Sequence, residues 1–183
     1  MLSSILSKTS CAACKFCCSF RRQSLWETPL FPPEVAEKLS RENEYGVVGE
    51  FTPVYCKTQD ARRIQDAREA QNVYRLVLEN NYRTDDPEEE VPCTFLDPQK
   101  GCILKGEDKP FDCSIWPLRI MNKDGKLVIA LTPTCSAIGA VPSQALVELV
   151  QNGLGEKIFE YAKTHPNIVK EYHQGFPVIQ EWL

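Results

Sequence analysis

With 183 residues, a net charge of −4 and a pI near 5.3, the chain can bury a single self-sustaining core. It is too acidic for general binding to nucleic acid or to an anionic membrane, which needs a basic face. Nine cysteines, an odd count, argue against a disulfide scaffold. The first ten residues have neither a basic start nor a signal-type apolar stretch, and no run approaches the roughly 18 apolar residues of a membrane span. The expectation is a cytoplasmic protein whose thiols stay reduced.

The chain opens on Cys11-Ala12-Ala13-Cys14-Lys15-Phe16-Cys17-Cys18, four thiols within eight residues. A core needs no such density, because Cys packs as one small apolar residue among many. Ionised with nothing bound, thiolates about 4 Å apart repel by roughly 4 kcal/mol per pair at an effective dielectric near 20. Protonation, disulfides or a cation would relieve this, and the Cys-x-x-Cys spacing favours the cation because both sulfurs can face one point.

Beyond Phe20-Arg21-Arg22 and a proline-bearing stretch, Pro33 suits the first turn of a short amphipathic helix carrying Val35, Ala36 and Leu39. Phe51 to Thr58 alternates as a short strand with Cys56 inside it. Asp60 to Asn81 has apolar residues at helical spacing and predicts a long packing helix. The acidic run Asp85 to Glu90 predicts a solvated loop. Cys93 to Cys113 is rich in turn residues, and Asn122-Lys123-Asp124-Gly125 marks a hairpin between Leu118–Met121 and Lys126–Leu131. Ser143 caps a helix near Ala145–Val150, Glu156 to Lys163 forms another before Pro166, and Gly153 and Gly155 separate them.

The fold class expected is α+β: a mainly helical single domain over residues 1–183, with a small β-hairpin and cysteine-bearing loops gathered around a metal centre. The ligand regions are 11–18 and 93–135, and the C-terminal helical part runs from about 142 to 183. Setting aside Cys56, read as a buried small residue, the candidate metal ligands are Cys11, Cys14, Cys17, Cys18, Cys93, Cys102, Cys113 and Cys135. Only the first region has Cys-x-x-Cys spacing, so the two knuckles of a structural zinc site are not met. Single ligands added to one Cys-x-x-Cys-x-x-Cys run favour an iron–sulfur cluster, with zinc as the alternative. In an extended backbone Cys17 and Cys18 would point to opposite faces, so they would serve two centres or one would stand behind the ligands. Phe16 and Trp116 read as packing over the cluster. Lys15, Arg21, Arg22 and Lys109 read as surface cations or as charge compensation, and His165 and His173 as ordinary side chains.

This ordered set of cysteines resembles the YkgJ-type cysteine-cluster family, described as zinc- or iron-chelating proteins. The resemblance rests on Cys11-x-x-Cys14-x-x-Cys17-Cys18, on Cys93-x-Phe95-Leu96 with Cys102-Ile103-Leu104, on Lys109-Pro110-x-x-Cys113-x-x-Trp116-Pro117, and on Cys135. Lys109 stands where the family has Arg, and Leu104 where it has Tyr. The family is similar to the cysteine-rich part of flagellin lysine N-methylases, which implies an N-methyltransferase as one alternative. No glycine-rich nucleotide loop and no Ser-His-Asp pattern requires a reaction. The expectation is therefore a metal-binding protein with an unassigned protein or redox partner and no partner of nucleic acid or membrane.

Overall fold

The structure is a computed structural model and describes residues 16–54, 73–135, 138 and 142–182. Phe16–Cys18 form one 3-10 turn that passes into β1 (Ser19–Phe20), and a second turn, Arg22–Glu27, leads to β2 (Leu30–Phe31). Pro33 then begins α1 (Pro33–Leu39), where its missing amide hydrogen is not needed, and Val35, Ala36 and Leu39 bury one face. β3 (Phe51–Val54) and β4 (Val73–Leu76) follow, and β4 lies centrally in a three-stranded sheet of order β2-β4-β3. The long helix expected over Asp60–Asn81 is therefore not present at its C-terminal end. Val73 to Leu76 hydrogen-bonds to strands on both sides, a pairing that outweighs helical spacing read along one segment. Residues 60–72 of that expectation, and Cys56, lie outside the described residues.

β5 (Val91–Pro92) pairs antiparallel with β1, and the small hairpin of β6 (Leu96–Asp97) and β7 (Gly101–Cys102) follows. α2 (Phe111–Ile115) precedes β8 (Leu118–Lys123) and β9 (Lys126–Leu131). Asp124 (φ 53°) and Gly125 (φ 83°) join these strands in left-handed geometry, which suits the twist of a two-residue hairpin. α3 (Gln144–Leu149) starts at Ser143, whose Oγ accepts from the Leu146 amide at 3.2 Å. The chain kinks at Gly153 (φ 107°) and continues as α4 (Gly155–Thr164).

The C-terminal part differs from the helical expectation beyond α4. β10 (Lys170–Glu171) pairs parallel with β8, and β11 (Val178–Glu181) pairs antiparallel with β9, giving a four-stranded sheet of order β10-β8-β9-β11. Strands of two and four residues carry little periodicity of their own, and the edges of the central hairpin supply their partners. The mainly helical reading is thus overturned. Among the described residues there are four α-helices, of 7, 5, 6 and 10 residues, against eleven strands in four sheets.

Two larger apolar centres hold these layers, with a smaller one of Met121, Val128 and Ala130 on the other face of β8 and β9. One face of β8 and β9 (Leu118, Ile120, Ile129, Leu131) packs against Leu146 of α3 and Phe159 of α4. The other centre gathers Phe20, Phe31, Leu39, Leu76, Phe95 and Leu104 beneath the N-terminal strands. Cys93 packs against this second centre, whereas Phe111 and Ile115, on either side of Cys113, belong with the first.

Candidate metal centre

Backbone pairing brings the two cysteine regions together. β1 and β5 align Ser19 with Pro92, and immediately beyond that register the Cys93 amide donates to the Cys18 carbonyl at 2.7 Å. The β6–β7 hairpin sets Cys102 opposite Leu96, three residues beyond Cys93, and the Ile103 amide closes it by donating to the Phe95 carbonyl at 3.0 Å. Asp97 makes the turn, its Oδ1 accepting from the amides of Gln99 and Lys100, each at 2.7 Å. Cys113 is the third residue of α2, and Cys135 is buried beyond the end of β9.

All six described cysteines are free thiols. Cys17, Cys18, Cys93 and Cys113 are half-buried, and Cys102 is exposed. Cys11 and Cys14 lie outside the described residues.

The premise used for Cys17 and Cys18 does not hold. They share a 3-10 turn rather than an extended backbone, and their sulfurs stand 3.9 Å apart. Two thiolates on one tetrahedral ion, with bonds of about 2.3 Å, would stand roughly 3.8 Å apart, so this pair has the spacing of two ligands to a single ion. Among the described residues, however, no three Cys, His, Asp or Glu side chains are assembled as a metal set. The gathering around a metal centre expected with the fold is therefore not formed within them. The donors fit a thiophilic metal in chemistry and in this one distance; a full shell needs further donors.

The thiols nonetheless act on one another. The contact with Cys18 lowers the Cys17 thiol, against burial, with Arg119 and Lys109 adding attraction. Cys18 is driven far above the ordinary range by that same bond, by burial, and by Cys17, Cys93 and Cys113. Burial pushes Cys93 up to about 12, with Cys102 and Cys17 acting in the same sense. Burial also raises Cys113 strongly, reinforced by Cys93 and opposed by Arg119. Burial and the neighbouring sulfurs thus favour the protonated forms of Cys18, Cys93 and Cys113.

Arg21 and Arg22, read as solvated or charge-compensating, are tied to the acidic loop. Arg21 pairs with Glu88 at 3.0 Å and with Glu90 at 2.6 Å. Arg22 pairs with Glu89 at 3.6 Å, donates to the carbonyls of Asp86 at 3.0 Å and of Thr84, and lies over the Tyr82 ring at 4.2 Å. The Tyr82 hydroxyl in turn donates to the Phe20 carbonyl at 2.7 Å. These contacts fasten β1 to the chain that leads into β5. His165 and His173 stack on Tyr161 and Trp26, with ring centroids 3.9 and 4.1 Å apart. A cleft of about 190 Å³, lined by Leu30, Pro33, Glu34, Tyr161 and His165 among others, has no cysteine in its wall.

One residue beside the thiols went unread in the sequence: Arg119. It sits in β8 between Leu118 and Ile120 and is only 4% exposed. Its Nη1 donates to the Asp112 carbonyl at 3.1 Å and its Nη2 to the Glu27 carbonyl at 3.4 Å. The guanidinium lies 4.5 Å over the Trp116 ring. An arginine between the apolar Leu118 and Ile120-Met121 was the available signal.

No family model, curated protein or solved structure matches this chain. No helix among the described residues is long and apolar enough to cross a membrane.

Proposed function

We propose that this chain is a metal-binding protein carrying an iron–sulfur cluster on thiolates drawn from Cys11, Cys14, Cys17, Cys18, Cys93, Cys102, Cys113 and Cys135. Its role is structural or electron-carrying, in a reducing cytoplasm and beside a protein or redox partner. The observation that supports this best is the approach of the Cys17–Cys18 turn to Cys93 across the β1–β5 pairing, with the Cys93 amide 2.7 Å from the Cys18 carbonyl. Raised thiols in mutual electrostatic contact are what a metal would stabilise by displacing their protons. A second reading, a zinc ion, is favoured by the 3.9 Å separation of the Cys17 and Cys18 sulfurs, because each iron of a cubane takes one cysteine whereas a tetrahedral zinc takes several.

Anaerobic purification followed by absorption spectroscopy and assay of iron, zinc and acid-labile sulfide distinguishes the two. Brown protein with iron and sulfide is the expected result. Colourless protein with stoichiometric zinc moves the assignment to the second reading, and protein free of metal after reconstitution with iron, sulfide or zinc ends both. Cys113→Ala and Cys17→Ala are each expected to lose most of the bound metal, and full retention in either removes that residue from the ligand set.

A further inference from the structure

Consecutive cysteines in an extended backbone point apart, but Cys17 and Cys18 share a 3-10 turn and their sulfurs stand 3.9 Å from each other. The turn is held from its C-terminal side. The Cys18 carbonyl accepts from the Cys93 amide at 2.7 Å, and Ser19–Phe20 pairs with Val91–Pro92. Both thiols are free and half-buried rather than enclosed, which leaves them open to a small oxidant.

A cystine holds its sulfurs about 2.05 Å apart, so this pair closes by an approach of about 1.9 Å, within the reach of side-chain torsions. Neighbours across a trans peptide have Cα atoms about 3.8 Å apart, short of the usual cystine range of about 4.4–6.8 Å. A bond between them is therefore strained, and more easily reduced than a structural disulfide.

We infer that Cys17 and Cys18 form a reversible redox pair, closed to a vicinal disulfide by hydrogen peroxide and reopened by glutathione, and that closing it discharges the metal. The inference rests on the metal-thiolate reading above, because both sulfurs are candidate ligands and a sulfur in a disulfide has lost the thiolate that binds metal. One sulfur attacks the peroxide, whose O–O bond breaks to leave a sulfenic acid and water. The other sulfur attacks the sulfenic sulfur, the S–O bond breaks, and a second water leaves. Two thiols thus lose two hydrogens and two electrons, and one peroxide becomes two waters. Reduction by two glutathione thiols restores both cysteines and yields glutathione disulfide.

Lys15 and Arg21 flank the pair, so trypsin releases both cysteines from the denatured chain on one peptide, Phe16–Arg21. The reduced full chain, loaded with zinc, is exposed to hydrogen peroxide beside a chromogenic zinc chelator. It is then denatured, alkylated, digested and analysed by mass spectrometry. The peptide is expected to take no alkyl group and to be two hydrogens lighter than the free dithiol. Zinc is expected to leave on the same time course, and glutathione to restore both alkylation sites. Two alkyl groups on Phe16–Arg21 once the exposed Cys102 has been oxidised overturn the inference. A link from this peptide to another cysteine peptide, in place of the internal bond, does the same. Zinc kept by chains that carry the bond overturns the discharge. A fresh reduced chain that takes up neither zinc nor iron and sulfide removes the metal-thiolate reading and the discharge with it, while the digest still shows whether the pair closes.

Discussion

Asp112 and Arg119 form a buried pair, Oδ1 to Nη1 at 3.9 Å, and at the scale of single residues that governs what substitution does. Truncating one partner of a buried pair leaves a charge without solvent or counter-ion, a change that costs about 3–5 kcal/mol. Asp112→Ala also takes the acceptor from the Leu30 amide. Its unfolding free energy, from urea titration of the reduced protein at neutral pH, is therefore expected to fall by an amount in that range. A change under about 1 kcal/mol would mean that water enters beside Arg119. The same scale explains Cys17 and Cys18, whose sulfurs meet because a 3-10 turn, not a strand, carries them.

At the scale of elements, α1 and the turn before α2 are joined by a small charged group. Lys38 Nζ lies 2.7 Å from Asp108 and 2.9 Å from Glu44, and the Tyr45 hydroxyl donates to Asp108 at 2.6 Å. The Lys38 ammonium, with the Tyr45 hydroxyl, holds the Asp108 carboxyl below the usual carboxylate range. The same contacts raise Lys38 above its ordinary value. A depressed carboxyl contributes stability that is fully present above its unfolded pKa, near 3.8, and is lost as pH falls through the lower folded value. A raised lysine contributes stability that is present below about pH 10.4 and is lost above it. Thermal melts between pH 6 and pH 2 are therefore expected to show a smaller decline for Asp108→Asn than for the parent. An equal decline would show that Asp108 is not among the groups whose protonation destabilises the fold in acid.

For the whole molecule, the two larger apolar centres, taken with the proposed metal site, predict an uneven response to chelation. The sheet of β8 and β9 is closed by α3 and α4 through residues such as Leu118, Ile129, Leu146 and Phe159, with no cysteine among its core members. The β1–β5 pair and the β6–β7 hairpin have two-residue strands, and such short pairings depend on what surrounds them. Hydrogen exchange after chelation is expected to rise at residues 18–20 and 91–103 while 118–131 stay protected. Uniform exchange across both regions would show one cooperative unit, with metal stabilising the chain as a whole.

Features written in short, contiguous signals were legible from the chain alone. Pro33 and the apolar face behind it specify α1, Asp124-Gly125 specifies the central hairpin, and Ser143 and Gly153 mark α3 and the kink after it. Each depends on a local preference of the backbone: a ring without an amide hydrogen, a positive φ, a capping hydroxyl. The density of thiols proposed the candidate ligands as a set; the structure describes Cys17, Cys18, Cys93, Cys102, Cys113 and Cys135, and Cys11 and Cys14 lie outside the described residues. The tertiary structure alone decided that Val73–Leu76 is a strand, that β10 and β11 extend the sheet, and that Arg119 is buried beside the thiols. Strand pairing and burial of a charge are properties of two segments at once: the β2 and β3 partners of β4 lie far along the chain, and the carbonyls that hold Arg119 come from Asp112 and Glu27.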